Sequence, residues 1–212
     1  MGLLQTRAGQ RLLNRLADLM EANADELAAA DSRDMGKPLN LCHHDVARAA
    51  LHSGFFADHA KMATAESFTM DTGHHAYSSF EPASVVFAIA PWNFPLMLES
   101  WKVAPALAWG NTVALKPAED APASATVMAR LATEAGLPDG VFNVVHGYGA
   151  DLVGSELTED PRVDRITFTG ETGTGKIISR AASANLTPVS LELGGKNCNL
   201  VFADADLENA VH

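Results

Sequence analysis

Ser84-Val85-Val86-Phe87-Ala88-Ile89-Ala90 decides the fold: it is a short, apolar, β-branched run, followed at once by the rigid turn Pro91-Trp92-Asn93-Phe94-Pro95 and then by a helical pattern from Met97 to Trp109. The same texture recurs along the chain. Runs at Thr112 to Leu115, Val141 to Val145, Arg165 to Thr169, Pro188 to Leu193 and Asn199 to Phe202 read as buried strands. Helical patterns lie between them at Ser124 to Ala135, Ala150 to Leu157 and Glu171 to Ala184. Strand-helix alternation favours right-handed crossovers and a parallel sheet, so the expected class is α/β.

Working outward, Leu12, Leu16, Leu19, Met20 and Leu27 recur at helical spacing from about Arg7 to Asp31, and Val46, Ala49, Ala50, Phe56 and Ala57 repeat the pattern. Two amphipathic helices are expected, with Met35-Gly36-Lys37-Pro38 as the loop between them, because glycine admits positive φ and proline cannot continue a helix. Neither internal repeat nor linker interrupts the chain. The helical opening, at about 1–65, is therefore expected to pack on the sheet, giving one domain over 1–212.

A chain of 212 residues that is 47% hydrophobic buries a core and is no disordered tail. Fifteen basic against twenty-six acidic side chains leave a formal charge of -11, which repels nucleic acid and anionic lipid. Cys42 and Cys198 lie far apart and no apolar amino-terminal stretch resembles a signal or a membrane span, which fits a reducing, cytoplasmic setting. Met1-Gly2-Leu3-Leu4-Gln5-Thr6 formally matches a myristoylation pattern, one short enough to arise by chance.

Parallel sheets bind ligands at the carboxyl ends of their strands, so the residues after each run carry the chemistry. Asn93 is placed to donate to a developing oxyanion; the bland alternative is a capped turn. Lys116-Pro117-Ala118-Glu119 sets a cation and a carboxylate where a ribose would be held, and Glu119 would repel a 2'-phosphate, favouring NAD over NADP; the alternative is a surface ion pair. Phe168-Thr169-Gly170-Glu171-Thr172-Gly173-Thr174-Gly175-Lys176 is a glycine-rich strand-to-helix turn suited to phosphate. It also fits G-x-x-x-x-G-K of a P-loop NTPase, with Leu200 to Asp204 as the metal-binding strand, but Ile177 stands where a Mg²⁺-ligating hydroxyl is required. In Leu191-Glu192-Leu193-Gly194-Gly195-Lys196, a desolvated Glu192 would have its pKa raised into a general base's range; the alternative is a pair with Lys196. His43-His44 and His74-His75 read as surface residues without metal-ligand spacing, and Cys198 as an inert thiol in a buried strand.

Taken in order, Pro91-Trp92-Asn93-Phe94-Pro95, Trp101-Lys102, Lys116-Pro117-Ala118-Glu119, Phe168-Thr169-Gly170 and Leu191 to Lys196 resemble the NAD(P)-dependent aldehyde dehydrogenases over nearly the whole chain. The resemblance implies a Rossmann-like sheet with flanking helices. It implies Asn93 as the oxyanion-hole amide, Glu192 as the base that activates water and Lys102 as part of a supporting proton relay. Trp92, Leu193 and Gly194 would border the cofactor, Lys116 and Glu119 would clamp its ribose, and Gly149 would lie near the adenine-side helix. Gly170 and Glu171 would begin the turn beside the pyrophosphate, although most members carry serine at position 171. The family's chemistry is attack of a cysteine thiolate on the aldehyde, hydride transfer to nicotinamide and release of the acid by water. No Gly-Gln-x-Cys pattern occurs here, so the thiolate is expected beyond His212; full-length members are homo-oligomers, and the strand that usually joins subunits is not in this chain. The motifs look most like dehydrogenases of hydroxymuconic-type semialdehydes.

Overall fold

The computed structural model describes residues 7–149 and 152–211. The myristoylation pattern at Met1–Thr6 lies outside them, as do the first two residues of the helix expected from Ala150.

The opening forms three helices where the periodicity suggested two: α1 (Arg7–Ala22), α2 (Ala24–Met35) and α3 (Leu39–His59). The break falls at Asn23, whose side-chain amide donates to Leu19 O at 2.8 Å while its own backbone leaves helical geometry at φ -110°, ψ 27°. An asparagine that bonds local backbone competes with the helical ladder, and the hydrophobic period runs through such a break unmarked. The loop at Met35–Pro38 forms as read: Gly36, at φ +72°, donates to Ser32 O at 2.9 Å and closes α2. A short antiparallel hairpin, β1 (Ser67–Thr69) with β2 (His75–Tyr77), follows α3. Its side chains are almost all exposed, so no alternation of apolar and polar residues announced it.

The sheet consists of β3 (Val85–Ile89), β4 (Thr112–Lys116), β5 (Phe142–Val144), β6 (Arg165–Gly170) and β7 (Val189–Leu193), all parallel, in the order β5-β4-β3-β6-β7. The crossovers run through α4 (Pro95–Ala108), α5 (Ala123–Ala135), α6 (Val153–Glu159) and α7 (Thr172–Ala182), and a short α8 (Leu207–Val211) ends the chain. The chain thus winds outward from β3 through β5, then returns by α6 to the other side of β3 and winds outward again.

Alternation along β3 buries both faces: Val86 and Ala88 join the core shared with α1 to α5, while Phe87 joins Ile166, Phe168 and Ile178 beneath α7. Each fully buried Leu or Phe of this kind is worth about 1.5–3 kcal/mol. The helical opening packs chiefly on α4 and α5, which themselves lie on the sheet, and shares one core with it. Asp34 of α2 also accepts from Ala123 N at 2.9 Å, capping α5 from outside, where Pro122 has no side-chain oxygen to offer. The same layer buries two carboxyls, Asp31 on α2 and Glu99 on α4, the latter without a hydrogen-bond partner among the described residues. Burial pushes Glu99 well above its ordinary value, and Asp31 adds to the effect. Burial pushes Asp31 up to about 6, tempered by nearby Ser124 and the Leu96 N–H.

Asn199 to Phe202 is not a strand. Leu200 and Phe202 are 78% and 73% exposed. An apolar run becomes a strand only where an edge pairs with it and layers cover it, and among the described residues β7 is the last strand of the sheet on that side. Cys198, expected to be buried there, is exposed.

Candidate functional site

In a doubly wound sheet the strand order reverses at one point, and the diverging crossovers open a crevice at the carboxyl ends of the strands there. Here the reversal lies between β3 and β6. A cleft of about 460 Å³ opens at that place. It is lined by Ile89 and Phe168, by Pro91, Trp92, Lys116 and Glu119, and by residues of α6 and α7. Of the residues singled out from sequence for the cofactor, Trp92, Lys116, Glu119, Gly149, Gly170 and Glu171 all line it.

Lys116 is buried at the end of β4, and its ammonium donates to Glu119 Oε2 at 3.0 Å and to Pro117 O at 3.2 Å. Burial pushes the Glu119 carboxyl up, but the bond from Lys116, a bond from its own backbone N–H and the charge of Lys116 together outweigh it and leave the group below its ordinary value. Trp92 is 58% exposed and presents its indole to the cleft. Gly154 and Thr158 of α6 and Ile177, Ile178 and Ala181 of α7 line the same cleft and give it an apolar slot suited to a flat ring. No motif marked these α6 and α7 residues; their only sequence signal is small or branched side chains at helical spacing, before the glycine-rich turn in α6 and within and after it in α7.

Glu171 is the N-cap of α7, its carboxylate accepting from Thr174 N at 3.1 Å. The P-loop reading fails on geometry as well as on Ile177. A phosphate-wrapping loop needs its residues outside the helix, whereas Thr172–Lys176 are already the first turns of α7. Leu200 to Asp204 supplies no strand, so no metal-binding aspartate stands at a strand end there.

The candidate catalytic side chains lie beside the cleft and do not form its wall. Asn93 is exposed before the first turn of α4, its side-chain amide without a hydrogen-bond partner among the described residues, so the capped-turn alternative is not what forms. Lys102 reaches from α4 to β6, donating to Thr169 Oγ1 at 2.7 Å and Thr167 Oγ1 at 3.3 Å. Burial pushes its ammonium down to about 8, against the Glu192 carboxylate, which favours the charged form. Thr167 and Thr169 were missed from sequence; two hydroxyls at i and i+2 on one strand face were the available signal.

Glu192 stands on β7 in register with Thr169. It is exposed, so the desolvation expected of it is not present, because β7 has no further strand beside it among the described residues and residues 194–206 run open after it. It also forms no ion pair with Lys196. Leu193 packs on α7 instead of facing the cleft: a Cβ at Gly175 would meet Leu193 Cδ2 at 2.6 Å, so a larger residue there would push the leucine aside. Gly194 follows beside Thr172. The paired histidines are at the surface, His43 half-buried near Asp25 and His44, His74 and His75 exposed. Among the described residues no three His, Cys, Asp or Glu side chains gather to hold a metal, and no helix is long and apolar enough to cross a membrane.

A parallel sheet in this order, with its cleft at the point of reversal and an acid-lysine pair at the mouth, defines a Rossmann-type nucleotide-binding fold. Comparison with known proteins carries this further. The aldehyde dehydrogenase family matches residues 2–212, and the chain belongs to that family. It is 46% identical over 215 residues to a 2-hydroxymuconic semialdehyde dehydrogenase of Pseudomonas sp. (strain CF600), covering 99% of this chain and 44% of that protein. Crystal structures of PnpE from Pseudomonas sp. WBC-3 and of PnpE in complex with nicotinamide adenine dinucleotide each superpose with a TM-score of 0.91 at 44% identity, covering 95% of this chain and 42% of theirs. The chain therefore spans less than half the length of the relatives it matches.

Proposed function

We propose that this chain is the cofactor-binding part of an NAD-dependent aldehyde dehydrogenase that oxidises a semialdehyde of the hydroxymuconic type to its acid. The observation that carries the cofactor reading is the hydrogen-bonded Lys116–Glu119 pair at the mouth of a cleft that includes an apolar slot. The slot takes an adenine, and the pair takes the ribose hydroxyls between a donor and an acceptor. Among the described residues Lys116 is the only basic one in the lining, against Glu119, Asp120, Glu159 and Glu171, so a 2'-phosphate would meet carboxylates and NAD is preferred over NADP. The bound cofactor supplies the hydride acceptor.

The chain's own residues then hold and move charge around it. Trp92 borders the cleft, and Asn93, with its amide unengaged, donates to the aldehyde oxygen as negative charge develops there. Glu192 takes a proton from the hydrolytic water, and Lys102, held by Thr167 and Thr169, steadies that carboxylate and passes protons outward. The thiolate comes from elsewhere in the longer protein: Cys42 is buried in the helical layer and Cys198 lies exposed beyond β7. For the same reason, the second reading is that these residues by themselves are a non-catalytic NAD-binding module.

Thermal unfolding tests the cofactor reading. NAD at a hundred times its Kd is expected to stabilise the protein by about 2.7 kcal/mol, with NADP weaker. Protection by ATP and Mg²⁺ with none by NAD would overturn it. The reaction is tested with the full-length gene product and 2-hydroxymuconic semialdehyde, reading NADH absorbance against acid formed; no NADH from this or other semialdehydes would sink the assignment.

A further inference from the structure

We propose that Lys37 is a positioning residue for the oxyanion donor: held by Asp45, it fixes the Phe94 ring and through it the amide of Asn93, the adjoining residue. The inference rests on the reading of Asn93 given above. The turn that carries Asn93 has little of its own to hold it. Ala90 N donates to Lys116 O at 3.2 Å before it and Leu98 N donates to Phe94 O at 3.0 Å after it, but Trp92 and Asn93 make no hydrogen bond among the described residues. Phe94, the N-cap of α4, offers no side-chain cap, and Pro95 has no N–H to receive one. An oxyanion donor must nonetheless stand in a fixed place, since a displacement of about 1 Å can cost on the order of a hundredfold in rate. The position has to be set from outside the turn.

The Gly36-Lys37-Pro38 loop sets it. Lys37 O accepts from Ser32 Oγ of α2 at 2.8 Å and lies 3.6 Å from Cys42 Sγ of α3, so the helices on both sides pin its backbone. Its ammonium pairs with Asp45 of α3, and the two side chains are only 12% and 5% exposed. The same ammonium lies 3.7 Å from the centroid of the Phe94 ring. A cation over a ring face is attracted by the ring's quadrupole, and more strongly where water is kept out. An aliphatic side chain at position 94 would offer no such hold. The helical opening, otherwise a cover for α4 and α5, thereby reaches the residue next to Asn93.

The test uses the full-length gene product with NAD and 2-hydroxymuconic semialdehyde, with kcat expressed per NAD site counted by calorimetry. Lys37→Met and Phe94→Leu are each expected to lower kcat about tenfold with the Kd for NAD unchanged. Lys37→Arg, which can keep both the ion pair and the ring contact, should restore most of the rate. Phe94→Leu leaves the ion pair whole at a partly exposed position, so it reports even where Lys37→Met disturbs folding. Asn93→Ala should lose about a hundredfold or more, and in that background Lys37→Met and Phe94→Leu should cost nothing further, because their effect passes through the missing amide. Unchanged kcat in Phe94→Leu, or the same tenfold loss when either substitution is made on Asn93→Ala, overturns the proposal. Full kcat in Asn93→Ala would instead overturn the oxyanion reading on which it rests.

Discussion

Lys102 of α4 donates to Thr169 of β6 at 2.7 Å, and Thr169 stands in register with Glu192 of β7, so an ammonium, a hydroxyl and a carboxylate from three elements meet at the carboxyl end of the sheet. The ammonium is the strained member. Burial takes it from 10.5 down to about 8, so the folded protein gives up this proton before the unfolded chain does.

The sign of the resulting pH dependence follows. Between pH 8 and 10.5 the unfolded state holds the Lys102 proton and the folded state has lost it, so this group makes stability rise with pH across that window and adds nothing further above it. The gap corresponds to at most about 3 kcal/mol. Urea unfolding of the parent and of Lys102→Met from pH 8 to 10.5 should show the rise in the parent and a flatter curve in the variant. Parallel curves would mean that Lys102 titrates normally.

Glu99 has the opposite sign. Its carboxyl is raised in the fold, so its contribution is fully present below the unfolded value of 4.5 and is lost progressively as pH rises toward the folded value. At pH 7 the protein therefore carries a cost that Glu99→Gln removes, and the amide can donate to Asp31. Glu99→Gln is expected to stabilise the protein at pH 7 by on the order of 1–2 kcal/mol, and by little at pH 4. Denaturant midpoints at the two pH values measure it. Destabilisation at pH 7 would show that the carboxyl has a partner that the amide cannot replace.

These two groups also show what the sequence made legible. Strands β3 to β7 and the turns after them could be read because each is a short, largely apolar run punctuated by proline, glycine or lysine at or just past its carboxyl end. The candidate cofactor residues follow directly from those turns, and six of them line one cleft. The rest depends on neighbours. Glu99 looks like an ordinary helical glutamate until α2 is laid over it, and Thr167 acquires a role only when Lys102 arrives from sixty-five positions away. The exposed hairpin had no burial to leave a pattern, and Asn199 to Phe202 had the composition of a strand without an edge to pair with.

In the proposed cofactor reading, the choice between NAD and NADP turns on Glu119. It accepts from the buried Lys116 and stands where a 2'-phosphate would arrive, so removing its charge should relieve repulsion without opening the core. Glu119→Gln is expected to improve NADP binding relative to NAD by about five- to tenfold, a difference on the scale of one screened like-charge contact. Calorimetric Kd values for both cofactors read the ratio. An unchanged ratio would place the 2'-hydroxyl elsewhere in the cleft.

The last prediction concerns turnover by these 212 residues alone. A dehydrogenase of this family requires a thiolate beside the oxyanion donor, and neither cysteine meets that condition. Cys42 lies within the helical layer, where burial, then the carboxylate of Asp31, pushes its thiol up and away from the reactive form. Cys198 is exposed, six positions beyond Glu192, with no strand to fix it against Asn93. The isolated polypeptide is therefore expected to bind NAD and to produce no sustained NADH from an aldehyde, and Cys42→Ser and Cys198→Ser should leave NAD binding unchanged. Absorbance at the NADH band, followed over many equivalents of aldehyde, decides it. Sustained turnover that survives in Cys42→Ser and vanishes in Cys198→Ser would make Cys198 the nucleophile and require the segment after β7 to fold back over Asn93.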